Sequence, residues 1–374
     1  MSIVWHELKK IVLSPVLLGF MVLCLLFNLL IMQHSEYANY IAQVSHETGF
    51  VLGSEFDKRV ANLESSEHAI WLQLQTSGMI DVFDGYTTGY IAEAYIEGLG
   101  LTGMAAALMY NKYVKLQSAV DARFEAGDGM TLYFAGDTYN RHLMLFGVVM
   151  GSLLFEGILL AVLIMLLSLG HEYNARTEAV VYATKVGRRV NTAKFIAGIA
   201  AGLGAYALIT AVTLAIYLNL SPFGGTWGSS VSSGFNFVLD MLGARPFVTW
   251  HSFTVSTYLL ASIVLSAGLV LCFGLMAYIT GLWIRNGYIG FLVLVIFNMA
   301  LVTFTGPIFG PTMPTFIIAL SPIWLSLQQG MWFTDGGVNV LWPHFETLGV
   351  FVSLLLLAVL CVWSSARFKR RNII

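Results

Sequence analysis

The sequence predicts an all-α protein that crosses a lipid bilayer six times, and three observations carry that expectation. Mean hydropathy is +0.76, with 57% hydrophobic and only 11% charged residues, a balance foreign to ordinary soluble chains. Six apolar stretches, at roughly 11–32, 143–170, 193–220, 255–282, 288–306 and 346–366, approach the length of about 20 residues that a helix needs to traverse the hydrocarbon core. Twelve of the 19 Lys and Arg residues are gathered in four short segments between or beyond these stretches. Barrel strands do not fit, because the stretches are too long and lack strict period-2 alternation. Backbone groups in lipid must be satisfied within the segment, which leaves helices.

The cations set the expected topology. They lie at 1–10, 171–194, 283–287 and 367–374, whereas the polar segments 33–142, 221–254 and 307–345 share only seven. Positive charge stays on the cytoplasmic side. Both termini of this multi-pass chain are therefore expected in the cytoplasm.

Taken in order, residues 1–32 read as an amphipathic lead-in followed by the first span. Trp5, His6, Glu7, Lys9 and Lys10 are expected to lie along the membrane surface. The apolar run reads as an uncleaved anchor, since Ile31-Met32-Gln33-His34 offers no small-residue cleavage site. Residues 33–142 follow as a mostly helical extracytoplasmic domain with fourteen acids against six Lys and Arg. Ser54 and Asp57 stand at capping-box spacing ahead of a helix through Ile70, Leu72 and Leu74. A second helix is expected over about 101–126, ended by the Gly127-Asp128-Gly129 turn.

Residues 143–374 then form the membrane core, spans two to six, with the cytoplasmic loop 171–194 read as a short charged helix. Before span six, Pro307, Pro311 and Pro314 break the chain, and the apolar stretch 315–327 is too short to cross. It reads as re-entrant, with Trp324, Trp332 and Trp342 suited to the headgroup level. Cys24, Cys272 and Cys361 all fall within spans, so no disulfide framework is expected.

Motifs of catalysis are missing from the chain. There is no Gly-Lys dipeptide, hence no phosphate-binding loop for ATP hydrolysis. His6-Glu7, His46-Glu47 and His171-Glu172 lack the second His of a zinc-protease helix, and no Cys/His cluster has metal spacing. No catalytic residue, resident cofactor or metal is therefore assigned. Glu156 is the one acid deep in a span, where a charge costs roughly 2.5–3.5 kcal/mol on insertion scales. Two readings stand: a site on a substrate path, or a carboxyl that locks helix packing through Asn298, Tyr206 or Thr210. Gly147–Gly151 and Gly198–Gly202 have the spacing that lets helices approach closely, read as internal packing ahead of a dimer seam. The basic end Arg367-Phe368-Lys369-Arg370-Arg371 reads as an anchor on anionic lipid, and no nucleic-acid partner is expected.

The loop 171–194 resembles the first cytoplasmic loop of ABC-2 type transporter permeases. In that family an acid follows the second span, then come a Thr, an apolar pair, an Arg and a Lys opening the third span. Glu172, Thr177, Val180-Val181, Arg188 and Lys194 occupy those places, and Trp5-His6-Glu7-Leu8-Lys9-Lys10 with Ser14-Pro15 is similar to the family's lead-in. Two positions depart from the pattern: Arg176 stands where a Gly usually precedes the Thr, and the usual Pro is missing from Lys185-Val186-Gly187.

The resemblance implies a transport subunit without ATPase motifs of its own, exporting a peptide, antibiotic or other amphiphile. It implies a dimer with a second permease, identical or not, and a separate cytoplasmic ATPase that carries ATP and Mg. The coupling residues it implies are Glu172, Tyr173, Arg176, Glu178, Tyr182, Lys185, Arg188 and Arg189. The alternatives are an intramembrane enzyme, or a sensor whose outer domain binds a ligand.

Overall fold

The computed structural model describes residues 3–32, 44, 47–49, 54–63, 70, 83–128, 141–183, 187, 190–220, 226–235, 246–284, 286–305 and 310–370. Two helices open the chain, α1 (Ile3–Val12) and α2 (Pro15–Ile31), followed by α3 (Ser54–Ala61), α4 (Gly89–Leu99) and α5 (Gly103–Glu125). A π-helical segment, Leu143–Val149, leads without a break into α6 (Met150–Asn174). Then come α7 (Glu178–Ala183), α8 (Val190–Leu220), α9 (Val231–Phe235), α10 (Val255–Trp283) and α11 (Gly287–Phe304). Two short helices, α12 (Met313–Ile318) and α13 (Pro322–Leu327), precede α14 (Phe345–Arg370). Among the described residues extended pairing is limited to one isolated bridge, Ser230 with Thr254.

Among the described residues five helices are long and apolar enough to cross a membrane: Leu143–Asn174, Val190–Leu220, Val255–Trp283, Gly287–Phe304 and Phe345–Arg370. The stretch expected at 11–32 differs from a single span. Its two helices, α1 and α2, meet at 53°, and the count reaches six when the bent pair is taken as one. Pro15 is the cause. Its ring disfavours helical geometry at Ser14, which is extended at φ −66°, ψ 121°, and proline suits the first position of α2.

Helix α6 organises the bundle because it is apolar all round, the pattern of a helix buried on every side. Of its most apolar window 72% is buried, against 17% for α11, whose exposed Ile289, Leu292, Ile296 and Met299 form an apolar outer surface. One face of α6, through Leu153, Leu160 and Ile164, packs in a core with Leu17 of α2 and Ala197, Ala201 and Ile209 of α8. The other, through Leu154, Ile158, Ala161 and Met165, joins Leu269, Val270 and Phe273 of α10 and Val350 of α14. Small residues permit these approaches. A Cβ on Gly157 would stand 2.5 Å from the Tyr206 ring, and one on Gly198 would meet Met165 at 2.8 Å. The Gly198–Gly202 pair therefore packs internally, against α6.

The described part of 33–142 does not have a core to itself. Phe83, Ile91, Met109, Tyr113 and Leu116 share one with Val248, Phe316 and Leu341 from the later loops. Lys112, 1% exposed, donates to the carbonyls of Asp335 (3.1 Å), Gly337 (2.8 Å) and Val340 (2.7 Å), and Tyr113 Oη donates to Asp335. The expected helix over 101–126 is α5, and its end is a left-handed cap at Gly127, φ 67°. Leu72 and Leu74 lie outside the described residues, as do Pro307, Lys185, Arg188 and Arg189.

Segment 310–345 is a compact knot of short helices. Trp332, expected at the headgroup level, is instead wholly buried, its Nε1 donating to the Leu325 carbonyl at 2.9 Å. The reason is packing: the indole belongs to the core that α6, α10 and α14 share with Leu325, Val340 and Phe345. The three cysteines are buried and unpaired.

Candidate functional site

The candidate site is the end of the bundle where α1, the last turn of α6 and the first turn of α8 converge. Burial of apolar surface dictates the arrangement of α1: Val4, Leu8 and Ile11 pack into the core formed with α2 and α8, leaving Trp5, His6 and Lys9 exposed. Glu7 departs from the expected surface role, because it shares the buried face with Ile11 and is only 6% exposed.

Glu7 is tolerated there because it belongs to a charge network. Lys10 bridges Glu7 at 3.4 Å and Glu172 at 3.5 Å. Glu172 in turn pairs with Lys194, whose ammonium also donates to the Ser168 carbonyl. Lys194 is completely buried, an arrangement stable only when the cation is paired and hydrogen-bonded. Two acids and two cations thus tie three helices together with no net charge. Of these groups only Glu172, Glu7 and Lys10 were assigned to a site from the sequence; Lys194 entered merely as the cation opening the next span.

The network anchors the turn into α7. Helix α6 ends with Arg176 N donating to the Tyr173 carbonyl (3.1 Å) and Thr177 N to the Glu172 carbonyl (2.9 Å). These are the two hydrogen bonds of a Schellman cap, which demands a left-handed residue at Arg176, found at φ 56°. Glycine adopts that conformation freely and arginine does not.

Beyond the cap, α7 projects from the bundle. Tyr173, Arg176 and Val180 are exposed, Val180 to 69%. Glu178 and Tyr182 lie on α7 itself. The structure therefore brings Glu7, Lys10 and Glu172 together and leaves Tyr173 and Arg176 outside the network, on the projecting turn. A cleft of about 550 Å³ opens at the elbow of α1 and α2, lined by Lys10, Ser14, Pro15, His171 and Asn174 among others.

Glu156 lies elsewhere, 5% exposed, on the α6 face toward α2 and α8. Its partner is none of those expected. Asn28 Nδ2 of α2 donates to Glu156 Oε2 at 2.9 Å and to Thr213 Oγ1 of α8 at 3.1 Å, and Ser152 Oγ donates to Asn28 Oδ1 at 3.3 Å. Asn298 bonds its own helix at the Leu294 carbonyl (2.8 Å), and Tyr206 Oη reaches Ile263 O at 3.4 Å. In this geometry Glu156 is a packing lock joining three helices. Among the described residues no group of three His, Cys, Asp or Glu could hold a metal ion.

The fold is that of an all-α polytopic membrane protein. Comparison with protein-family models, with curated proteins and with solved structures gave no match.

Proposed function

We propose that the chain is the membrane subunit of an ATP-binding cassette transporter, exporting a peptide, antibiotic or other amphiphile. In this reading α2 is the first of six spans; its 17 residues rise about 25 Å, near the hydrocarbon thickness. Both termini and the loop 171–194 face the cytoplasm of a bacterial cell, and residues 33–142 lie outside. The working unit is a dimer, each copy or its partner permease receiving a separate ATPase that binds ATP and Mg.

One observation carries the reading: a short exposed helix is attached, through a fixed cap and a buried charge network, to three helices at once. A push on α7 reaches α6 directly, and Glu172 passes it to α1 through Lys10 and to α8 through Lys194. A connection of that kind carries a local docking event into the packed helices, and its exchangeable ion pairs let those helices shift against one another. Charges on the loop fix the register of docking.

The test is to purify the chain from its native membranes, look for a co-purifying ATPase, and measure ATP-driven transport by the recovered complex in vesicles. Charge reversals Glu178→Arg and Arg188→Glu are expected to leave ATP hydrolysis running while transport is lost. Retained coupling, or purification without any nucleotide-hydrolysing companion, removes the proposal.

A further inference from the structure

A second cationic feature stands apart from the α1–α6–α8 network and depends on no assumption about transport. Helices α10 and α14 end side by side: Tyr278 and Ser365 share a hydrogen bond of 2.8 Å, and Trp283 Nε1 donates to Ser364 Oγ at 3.4 Å. Between those ends lies a cleft of about 620 Å³ lined by Trp283, Trp363, Ala366, Arg367 and Arg370. Trp363, Arg367 and Arg370 recur at helical spacing, so one stripe of α14 forms a wall. Trp283 closes it from α10, its ring centroid 6.4 Å from that of Trp363.

The electrostatics of this cleft differ from those of the ion-paired cations. Arg59, Arg123, Lys10 and Lys194 each meet a carboxylate. Among the described residues no carboxylate lies within salt-bridge distance of Arg367 or Arg370, and the only acid on α14, Glu346, sits in its first turn at the opposite end. Arg367 lies over an aromatic ring instead, its guanidinium carbon 5.5 Å from the Trp363 ring centre. A cation–π contact of this kind positions the guanidinium while leaving its N–H donors open. Immediately along α14, Val359 and Val362 are 67% and 72% exposed, an apolar track leading away from the cations.

We propose that this cleft binds the headgroup phosphate of an anionic glycerophospholipid, with its acyl chains along the exposed track of α14. Two arginines form charge-assisted, fork-shaped contacts with phosphate oxygens. The tryptophans occupy the glycerol level, where amphipathic rings are favoured. Basic pockets between membrane helices are suited to such headgroups. A free phosphate satisfies the arginines equally, but it leaves the aromatic wall and the apolar track without a function. The lipid uses all three.

The experiment is native mass spectrometry of the full chain in neutral detergent, titrated separately with phosphatidylglycerol, phosphatidylcholine and inorganic phosphate. Wild type is expected to retain phosphatidylglycerol about tenfold more strongly than phosphatidylcholine, with millimolar inorganic phosphate failing to displace it. Arg367→Gln with Arg370→Gln, both at exposed positions, is expected to bring the two lipids to parity. A charge-matched pair elsewhere, Lys58→Gln with Lys115→Gln, is expected to keep the preference. Equal binding of the two lipids by wild type, an undiminished preference in the arginine variant, or an equal loss in the lysine variant overturns the site. Displacement by inorganic phosphate would reassign it to a small anion.

Discussion

Two lysines are buried at opposite ends of the bundle, one donating to backbone carbonyls and the other paired with a carboxylate. Lys112 is surrounded by three backbone carbonyls, of Asp335, Gly337 and Val340, with the Tyr113 ring 4.7 Å away. Lys194 meets a carboxylate, Glu172, which shares its charge with Lys10 and, through Lys10, with Glu7. A carbonyl cage is a single arrangement, because each oxygen is fixed by the path of the loop. A chain of charges has several arrangements of similar energy, since Lys10 lies almost equally far from two acids. The first kind of site holds a shape and the second can exchange partners. The difference assigns rigidity to the end carrying α5 and adaptability to the end carrying α7.

The comparison breaks most visibly at Lys194. Lys194→Ala leaves Glu172 buried with only the longer Lys10 contact, a loss approaching the cost of one broken buried pair, about 3–5 kcal/mol. The double variant Lys194→Met, Glu172→Leu should recover most of it, because an uncharged pair of similar volume has no desolvation debt. Thermal unfolding of the three proteins in one detergent decides the matter; a double variant no better than the single shows that shape rather than charge is at stake. Lys112→Met leaves the carbonyls of Asp335, Gly337 and Val340 without this donor, at about 1–3 kcal/mol. Its signature is local: faster proteolysis within 334–341, with the α6–α8 packing intact. Equal proteolysis of both variants in that loop would erase the distinction between the two ends.

The same contrast explains what the sequence discloses. Helix class and the positions of the long apolar stretches follow from composition and length, so five helices appear close to where hydropathy sets them. Rotation of those helices does not follow, because α6, α8 and α10 are apolar all round and no stripe marks the face each presents. Asn28 and Glu156 are 128 residues apart, and Lys112 and Val340 are 228 apart. Such pairs are fixed only once the faces are chosen, which is why Glu156 was matched to Asn298, Tyr206 or Thr210 instead of Asn28. Glu7 was misplaced for a related reason: a charged residue in an amphipathic helix reads as solvent-facing until its partner is known. Arg176 is a further case. Nothing in the residue itself announces a left-handed conformation, yet the cap that ends α6 requires one there.

Effects of middle size follow from those two positions. Asn28→Leu removes the donor shared by Glu156 and Thr213, and interhelical hydrogen bonds in membranes average about 0.6 kcal/mol with an upper range near 1.7. Glu156→Gln keeps an acceptor for Asn28 and should cost less than Asn28→Leu. The opposite ranking in thermal unfolding would mean that the carboxyl charge, rather than the hydrogen bond, matters at this lock. Arg176→Gly relieves left-handed strain of about 1–2 kcal/mol and surrenders part of that to a more flexible unfolded chain, a net gain of about 0.5–1 kcal/mol. Arg176→Val should lower stability instead. If Gly destabilises, the cap is not the determinant of that turn.

The smallest expected effect is a pH dependence at the rigid end, where His251 and His344 stack with ring centroids 5.0 Å apart and planes 16° from parallel. Burial, and secondarily the neighbouring His251, hold His344 below the ordinary histidine value. The unfolded chain titrates near the reference of about 6.5 and the folded site below it, so between the two values the unfolded state binds more protons. The contribution of His344 is therefore fully present above about pH 6.5. It is lost as pH falls through the depressed folded value. His344→Gln should flatten the slope of Tm against pH in the acid range, leaving the neutral Tm little changed, whereas Lys10→Gln at the adaptable end should leave that acid slope in place. A slope that survives His344→Gln would move its origin to another group and remove the one acid-sensitive element assigned to the rigid end.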